Sequence, residues 1–125
     1  MATFEVTVDG DVLVFVGTGD VSAEDLVTAI SDHYPTRLLK HAIWDFSECT
    51  LDNLTTESIM KVMSHAQEHM KARQGGKTAI VGRRDLEYGL GRLYSAVVDH
   101  SANSVLTSVF RTRQEAEEWL VDPSV

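Results

Sequence analysis

The apolar positions along the chain switch repeatedly between a period of two and one near 3.6, and each switch marks an element. Phe4, Val6 and Val8 alternate with Thr3, Glu5 and Thr7. This predicts a strand with one solvated face, as at a sheet edge. Asp9-Gly10-Asp11 is a hairpin signal, because glycine takes positive φ without steric cost. Val12 to Val16 is continuously apolar, which predicts a strand covered on both faces. Gly17 to Asp20 leaves it. Ser22-Ala23-Glu24-Asp25 then reads as a capping box. Ala23, Leu26, Val27, Ile30 and Tyr34 share one helical face, and Pro35 stops that helix.

The middle apolar segment is Ala42-Ile43-Trp44-Asp45-Phe46-Ser47. It reads as a buried central strand that ends in polar residues. Leu54 and Ile59 are spaced as a hydrophobic staple around a Thr55 N-cap. The second helix turns Ile59, Val62, Met63, Ala66 and Met70 inward, and Gln74-Gly75-Gly76 ends it. Lys77 to Gly82 is a fourth strand. Asp85 is the expected N-cap of a third helix with apolar Leu86, Leu90, Leu93, Val97 and Val98. Val105 to Phe110 is a fifth strand. Thr112-Arg113-Gln114-Glu115 is another capping box, before a helix packing through Ala116, Trp119 and Leu120. The order β-β-α-β-α-β-α-β-α predicts an α/β fold in a single domain, 1–125. Its five-stranded sheet is mixed but mostly parallel, with right-handed crossovers.

Composition narrows the function classes. The chain has 125 residues, 43% hydrophobic and 24% charged, which suits one globular domain with its own core. A net charge of −8 repels phosphate backbones and anionic lipid, so no nucleic-acid partner is expected. Cys49 is the only cysteine, so neither an internal disulfide nor a cysteine zinc site is expected. The first ten residues lack the basic start and apolar core of a signal peptide. No apolar run approaches the roughly 20 residues of a membrane helix. The expectation is a cytoplasmic protein without integral membrane association.

Three segments carry a family resemblance. Ile43-Trp44-Asp45-Phe46-Ser47-Glu48-Cys49-Thr50-Leu51-Asp52 resembles the strand and loop of STAS domains, the anti-sigma-factor antagonist family. Leu86-Glu87-Tyr88-Gly89-Leu90-Gly91-Arg92-Leu93-Tyr94 is similar to the third-helix signature of the bacterial SpoIIAA-like (STAS/SEC14-type) branch. Val109-Phe110-Arg111-Thr112 with Glu115-Ala116-Glu117-Glu118-Trp119-Leu120 resembles that branch's ending. The resemblance implies a SpoIIAA-like β-α superhelix and a regulatory protein-interaction module, not an enzyme. In phosphorylatable members a serine follows an aspartate at the start of the second helix. Here Asp52 is present, but the serine position falls on Asn53 or Leu54. The usual serine switch is therefore not expected, and Thr55 and Thr56 are the nearest hydroxyls. The resemblance places a protein-interaction surface on Asp45, Ser47, Asp52, Asn53, Thr55 and Thr56. Thr55 is a helix cap first and a phosphoacceptor second.

Other constellations are weaker. His65-Ala66-Gln67-Glu68-His69 matches the H-x-x-E-H metalloprotease motif, but the histidines lie on the polar side of an amphipathic helix with no third ligand in view. No metal or cofactor is expected. Gly82, Gly89 and Gly91 fail the dinucleotide spacing, and close helix packing explains the helical pair better. Ser47, His41 and Asp45 are not a triad, and there is no nucleophile elbow, so no catalytic set emerges. Arg83, Arg84, Arg111 and Arg113 follow the carboxyl ends of strands, and Arg92 lies between them. They form either an anion-binding rim or solvated pairs with Asp85, Glu87 and Glu115. The alternative to a protein-interaction module is thus a carrier of a small apolar or anionic, lipid-like ligand. Its head would be near Arg83, Arg84 or Arg92 and its tail near Met60, Met63 and Tyr88, since methionine suits adaptable pockets. The first strand also offers an edge for a homodimer, which Glu5 discourages.

Overall fold

The computed structural model describes residues 2–35, 39–70, 73, 75–99 and 105–123, with the side chains of Met70 and Asp99 left aside. The Met70 and Gln74 expectations therefore lie outside the described residues. Gly10, at φ 62°, turns β1 (Thr3–Asp9) back onto β2 (Val12–Asp20) in antiparallel pairing. From β2 onward the chain alternates. α1 (Ala23–His33), α2 (Thr56–Met70) and α3 (Asp85–Asp99) connect β2 to β3 (His41–Thr50), β4 (Lys77–Val81) and β5 (Leu106–Phe110). These pairings are parallel, and the sheet order is β1-β2-β3-β4-β5. Successive right-handed crossovers that all advance in one direction deliver their helices to one face of the sheet. α4 (Arg113–Leu120) follows the last strand, so no crossover directs it, and it packs on the opposite face.

Strand alternation splits the core accordingly. Leu13, Phe15, Trp44, Phe46 and Ile80 point toward α1–α3. Val14, Ile43, Ala79 and Val81 point toward Ala116 and Leu120 of α4. On the three-helix side Phe15 stacks on Trp44 at 3.8 Å and 2°. The Trp44 indole donates to the Tyr34 hydroxyl at 3.1 Å, which satisfies a buried N–H.

Ser22 caps α1 with a reciprocal Asp25 bond, and Thr112 accepts from the Glu115 amide. At Gly91 an added Cβ would sit 2.8 Å from Val109 Cγ2 and 3.1 Å from Ile80 Cγ2. Glycine there lets α3 approach the sheet closely. Gly89 has no such neighbour. Three expectations need correction. Asp85 is the first residue of α3 rather than its cap. Its carboxylate is occupied by Arg111 at 2.9 Å. β5 starts at Leu106, one residue later than the apolar run. Trp119 is only half-buried and lies against Phe110 at 5.5 Å, because a single helix cannot enclose a large ring.

Candidate functional site

The carboxyl end of β3 is held from several sides. Asp45 is buried. Its Oδ1 accepts from the Ser47 amide at 2.9 Å and the Ser47 hydroxyl at 2.6 Å, and its Oδ2 lies 3.4 Å from Arg113. After β3 the chain alternates inward and outward. Leu51 and Leu54 are buried, whereas Asp52, Asn53, Thr55 and Thr56 are exposed. Asp20 at the end of β2 accepts from Thr50 at 2.9 Å and from Asn53 at 2.7 Å. Thr55 caps α2, accepting from the Ser58 amide at 3.1 Å, while Leu54 and Ile59 on either side of it are both buried.

Glu87 is the hidden part of this arrangement. It is 1% exposed, yet its Oε2 accepts from the Leu51 amide at 2.9 Å. Arg84 grips Glu87 with two bonds of 2.7 Å and reaches Asp52 at 2.9 Å. Burial alone would raise the Glu87 pKa. The bonds from Arg84 and the Leu51 amide outweigh it and hold the carboxyl below its ordinary value. Cys49, also buried, is pushed up to about 12 by burial, with Glu87 and Asp45 adding to the effect.

The other arginines at this edge are engaged. Arg83 donates to the Ser47 carbonyl at 3.3 Å. Arg111 pairs with Asp85 and covers the Tyr88 ring at 4.1 Å. Arg113 pairs with Asp45 and Glu117. Arg92 is exposed.

Beneath the loop, between the sheet and α1–α3, lies a cavity of about 60 Å³. Trp44, Phe46 and Ile80 form its sheet side. Leu51, Leu54, Ile59 and Glu87 line the end under the loop. Tyr34, Arg73, Thr78 and Tyr94 line the end near the start of β4. Arg73 is 4% exposed. Its Nε donates to the Leu39 carbonyl at 3.3 Å. Its Nη2 donates to the Lys77 carbonyl at 3.3 Å and the Thr78 hydroxyl at 2.9 Å. Its guanidinium lies 5.5 Å from the Tyr34 ring centre. Tyr94 is buried deeply enough that its hydroxyl pKa is raised.

The residues singled out from sequence therefore fall into separate places. Asp45, Ser47, Asp52, Asn53, Thr55 and Thr56 gather around one loop. Arg83, Arg84, Tyr88, Arg92, Met60 and Met63 do not line the cavity. Met60 is exposed, and Met63 is buried in the core. Sequence reasoning missed Arg73, Glu87, Tyr34 and Tyr94 as polar groups around one cavity. For Glu87 a signal was available. Glu87, Leu90, Gly91 and Tyr94 share one helical face, which places a carboxylate on an apolar stripe. Arg73 gave none, because a basic residue just after a helix reads as an ordinary dipole partner. His41 and Ser47 stand at opposite ends of β3. The His69 ring packs edge-on to Tyr34 at 5.5 Å. Among the described residues no three His, Cys, Asp or Glu side chains cluster as a metal site. No helix among them is long and apolar enough to cross a membrane.

No protein-family model matches the chain, and no curated protein is similar to it in sequence. A solved structure is similar: an uncharacterized protein of the DUF3478 family from Shewanella loihica PV-4, with a SpoIIAA-like fold. It is 19% identical, with a TM-score of 0.58, and the match covers 95% of this chain and 93% of that one. At this identity the fold is what the two share. The five-stranded mixed sheet with three helices on one face and one on the other is a SpoIIAA-like fold.

Proposed function

We propose that the protein is a non-enzymatic regulatory module that engages a protein partner through the outer face of the Asp45–Thr56 loop and the start of α2. The observation that carries this reading is the pinning of the loop. Its backbone is tied to Glu87 and its side chains to Arg84 and Asp20, while Asp52, Asn53 and Thr56 face solvent. A loop already held in one shape loses little entropy on binding. Serine phosphorylation is not its switch. Thr55 uses its hydroxyl as the α2 cap, whereas Thr56 offers an exposed hydroxyl at the first helical position, where a phosphate would meet free amides.

The test is a photo-crosslinking residue placed at position 56 and, as a control, at Thr7 on β1. The expected result is one protein captured from position 56 only, with affinity reduced at least tenfold by Asn53→Arg. Equal capture from both positions, or unchanged affinity, contradicts the reading. A second reading, a carrier of a small apolar or anionic ligand, is favoured by the cavity. Its test is the intact mass of the protein from its own cells under native and denaturing conditions, where a non-covalent mass lost on denaturation is expected. A bare chain in both counts against it.

A further inference from the structure

We infer that Arg73 is the anchor of a carboxylate-binding site inside the cavity, and that the ligand is a monocarboxylate with an apolar tail. The inference rests on the carrier reading and names its ligand class. A guanidinium withdrawn from water normally has a carboxylate beside it, because an unpaired buried charge is strongly unfavourable. Among the described residues none pairs with Arg73, whereas Arg84, Arg111 and Arg113 each have such a partner. The bonds that Arg73 makes to described residues use Nε and Nη2 and end on neutral oxygens. Nη1 makes none of them. It is also absent from the sealed-off, unpartnered atoms, which among the described residues are Thr107 Oγ1 and Arg113 Nε. Nη1 therefore faces space that a small molecule can reach.

The surroundings suit one anionic head. The Thr78 hydroxyl accepts from Arg73 and keeps its own proton to donate. The Tyr34 hydroxyl accepts from Trp44 and is likewise free to donate its proton. Beyond them the lining becomes aromatic and aliphatic through Trp44, Ile80, Leu90 and Phe46. The far end carries Glu87, whose negative charge disfavours a second acidic group there. Size sets a further limit. About 60 Å³ is well below the roughly 150 Å³ that encloses a benzene ring. A short acid fits with little change, whereas a longer tail requires the loop or α2 to yield.

The test is calorimetric titration of the whole chain with hexanoate, hexanol and hexylammonium at neutral pH. Hexanoate is expected to bind at least tenfold tighter than hexanol, and hexylammonium more weakly than either. Arg73→Met is expected to abolish the preference while leaving hexanol affinity within twofold, and Arg73→Lys to restore part of it. Equal binding of hexanoate and hexanol by the wild type overturns the inference but leaves the carrier reading standing. So does a preference that survives Arg73→Met. Failure of all three ligands to bind overturns both. If Arg73→Met does not fold, the three-ligand comparison on the wild type still decides. A series from butyrate to dodecanoate separates the sources. Affinity that stops rising near hexanoate identifies small free acids, and affinity that keeps rising identifies long-chain amphiphiles.

Discussion

Arg73 and Lys77 lie four residues apart, and each is more than nine-tenths buried, yet their charged ends meet different surroundings. Lys77 turns to the single-helix face. Its Nζ donates to the Trp119 and Asp122 carbonyls at 2.9 and 2.8 Å and lies 5.1 Å from the Trp119 ring centre. Those carbonyls belong to the last turn of α4, where a helix leaves acceptors unsatisfied and its dipole favours a cation. Lys77 therefore has a structural task that occupies it fully. Arg73 turns to the three-helix face, binds two backbone carbonyls and a hydroxyl, and lines a cavity. The comparison teaches that a buried charge is informative only after its donors have been assigned. Where they are all assigned the charge holds the fold together, and where they are not it points to a ligand.

The same contrast runs through the two cores. On the three-helix face Trp44 sits among Phe4, Phe15, Tyr34 and Phe46. On the other face Trp119 has one aromatic neighbour and is half-exposed. Trp44→Ala should destabilise the protein by about 3–5 kcal/mol, as for buried aromatics generally. Trp119→Ala should lower stability by only about 1 kcal/mol, in line with its partial burial. Guanidinium unfolding monitored by circular dichroism measures both, and similar losses would break the asymmetry.

Glu87→Gln probes the tie between cavity and loop. It should destabilise by about 1.5–3 kcal/mol near neutral pH, the usual range for charge-assisted hydrogen bonds. The folded pKa of Glu87 is lower than its ordinary 4.5. Its contribution is thus fully present above that value and is lost as pH falls through the folded pKa. The gap between wild type and Glu87→Gln should therefore close in acid. Unfolding midpoints measured from pH 7 to pH 3 check it, and a gap that widens in acid would refute the assignment.

Packing should respond differently on the two faces. Ala116 is 0% exposed against β3 and β4, so Ala116→Leu should destabilise by about 1–3 kcal/mol through overpacking. Ala66 borders the cavity, and Ala66→Leu should change stability by less than about 1 kcal/mol, because space exists for the added carbons. Thermal unfolding of the two variants compares them directly. The smallest effect is chemical. With its thiol pushed up to about 12, Cys49 is thiolate in only about one molecule in 10⁴ at pH 8. Native protein should resist iodoacetamide, and alkylation should follow unfolding. Rapid labelling of the native state would show that Cys49 is more open than its burial implies.

Much of this was legible in the sequence. Period changes located every strand and helix, and Ser22, Thr55 and Thr112 marked their helix starts, because capping and strand alternation are local effects. The Asp45–Thr56 loop was legible as one cluster for the same reason. The cavity was not, since it is made by residues from β3, β4 and three helices that only the tertiary fold brings together. The methionine signal misled for that reason. Met60 and Met63 are close in sequence, but one faces solvent and the other the packed core. Arginine counting at the strand ends found surface ion pairs, while the buried arginine lay at the opposite end of β4.

The most direct measurement is a nitrogen-detected NMR titration of the Arg73 guanidinium and the Lys77 ammonium with hexanoate. The account predicts that the Arg73 side-chain resonances shift and saturate while those of Lys77 stay in place. Unmoved Arg73 resonances, or equal shifts at both cations, would contradict it.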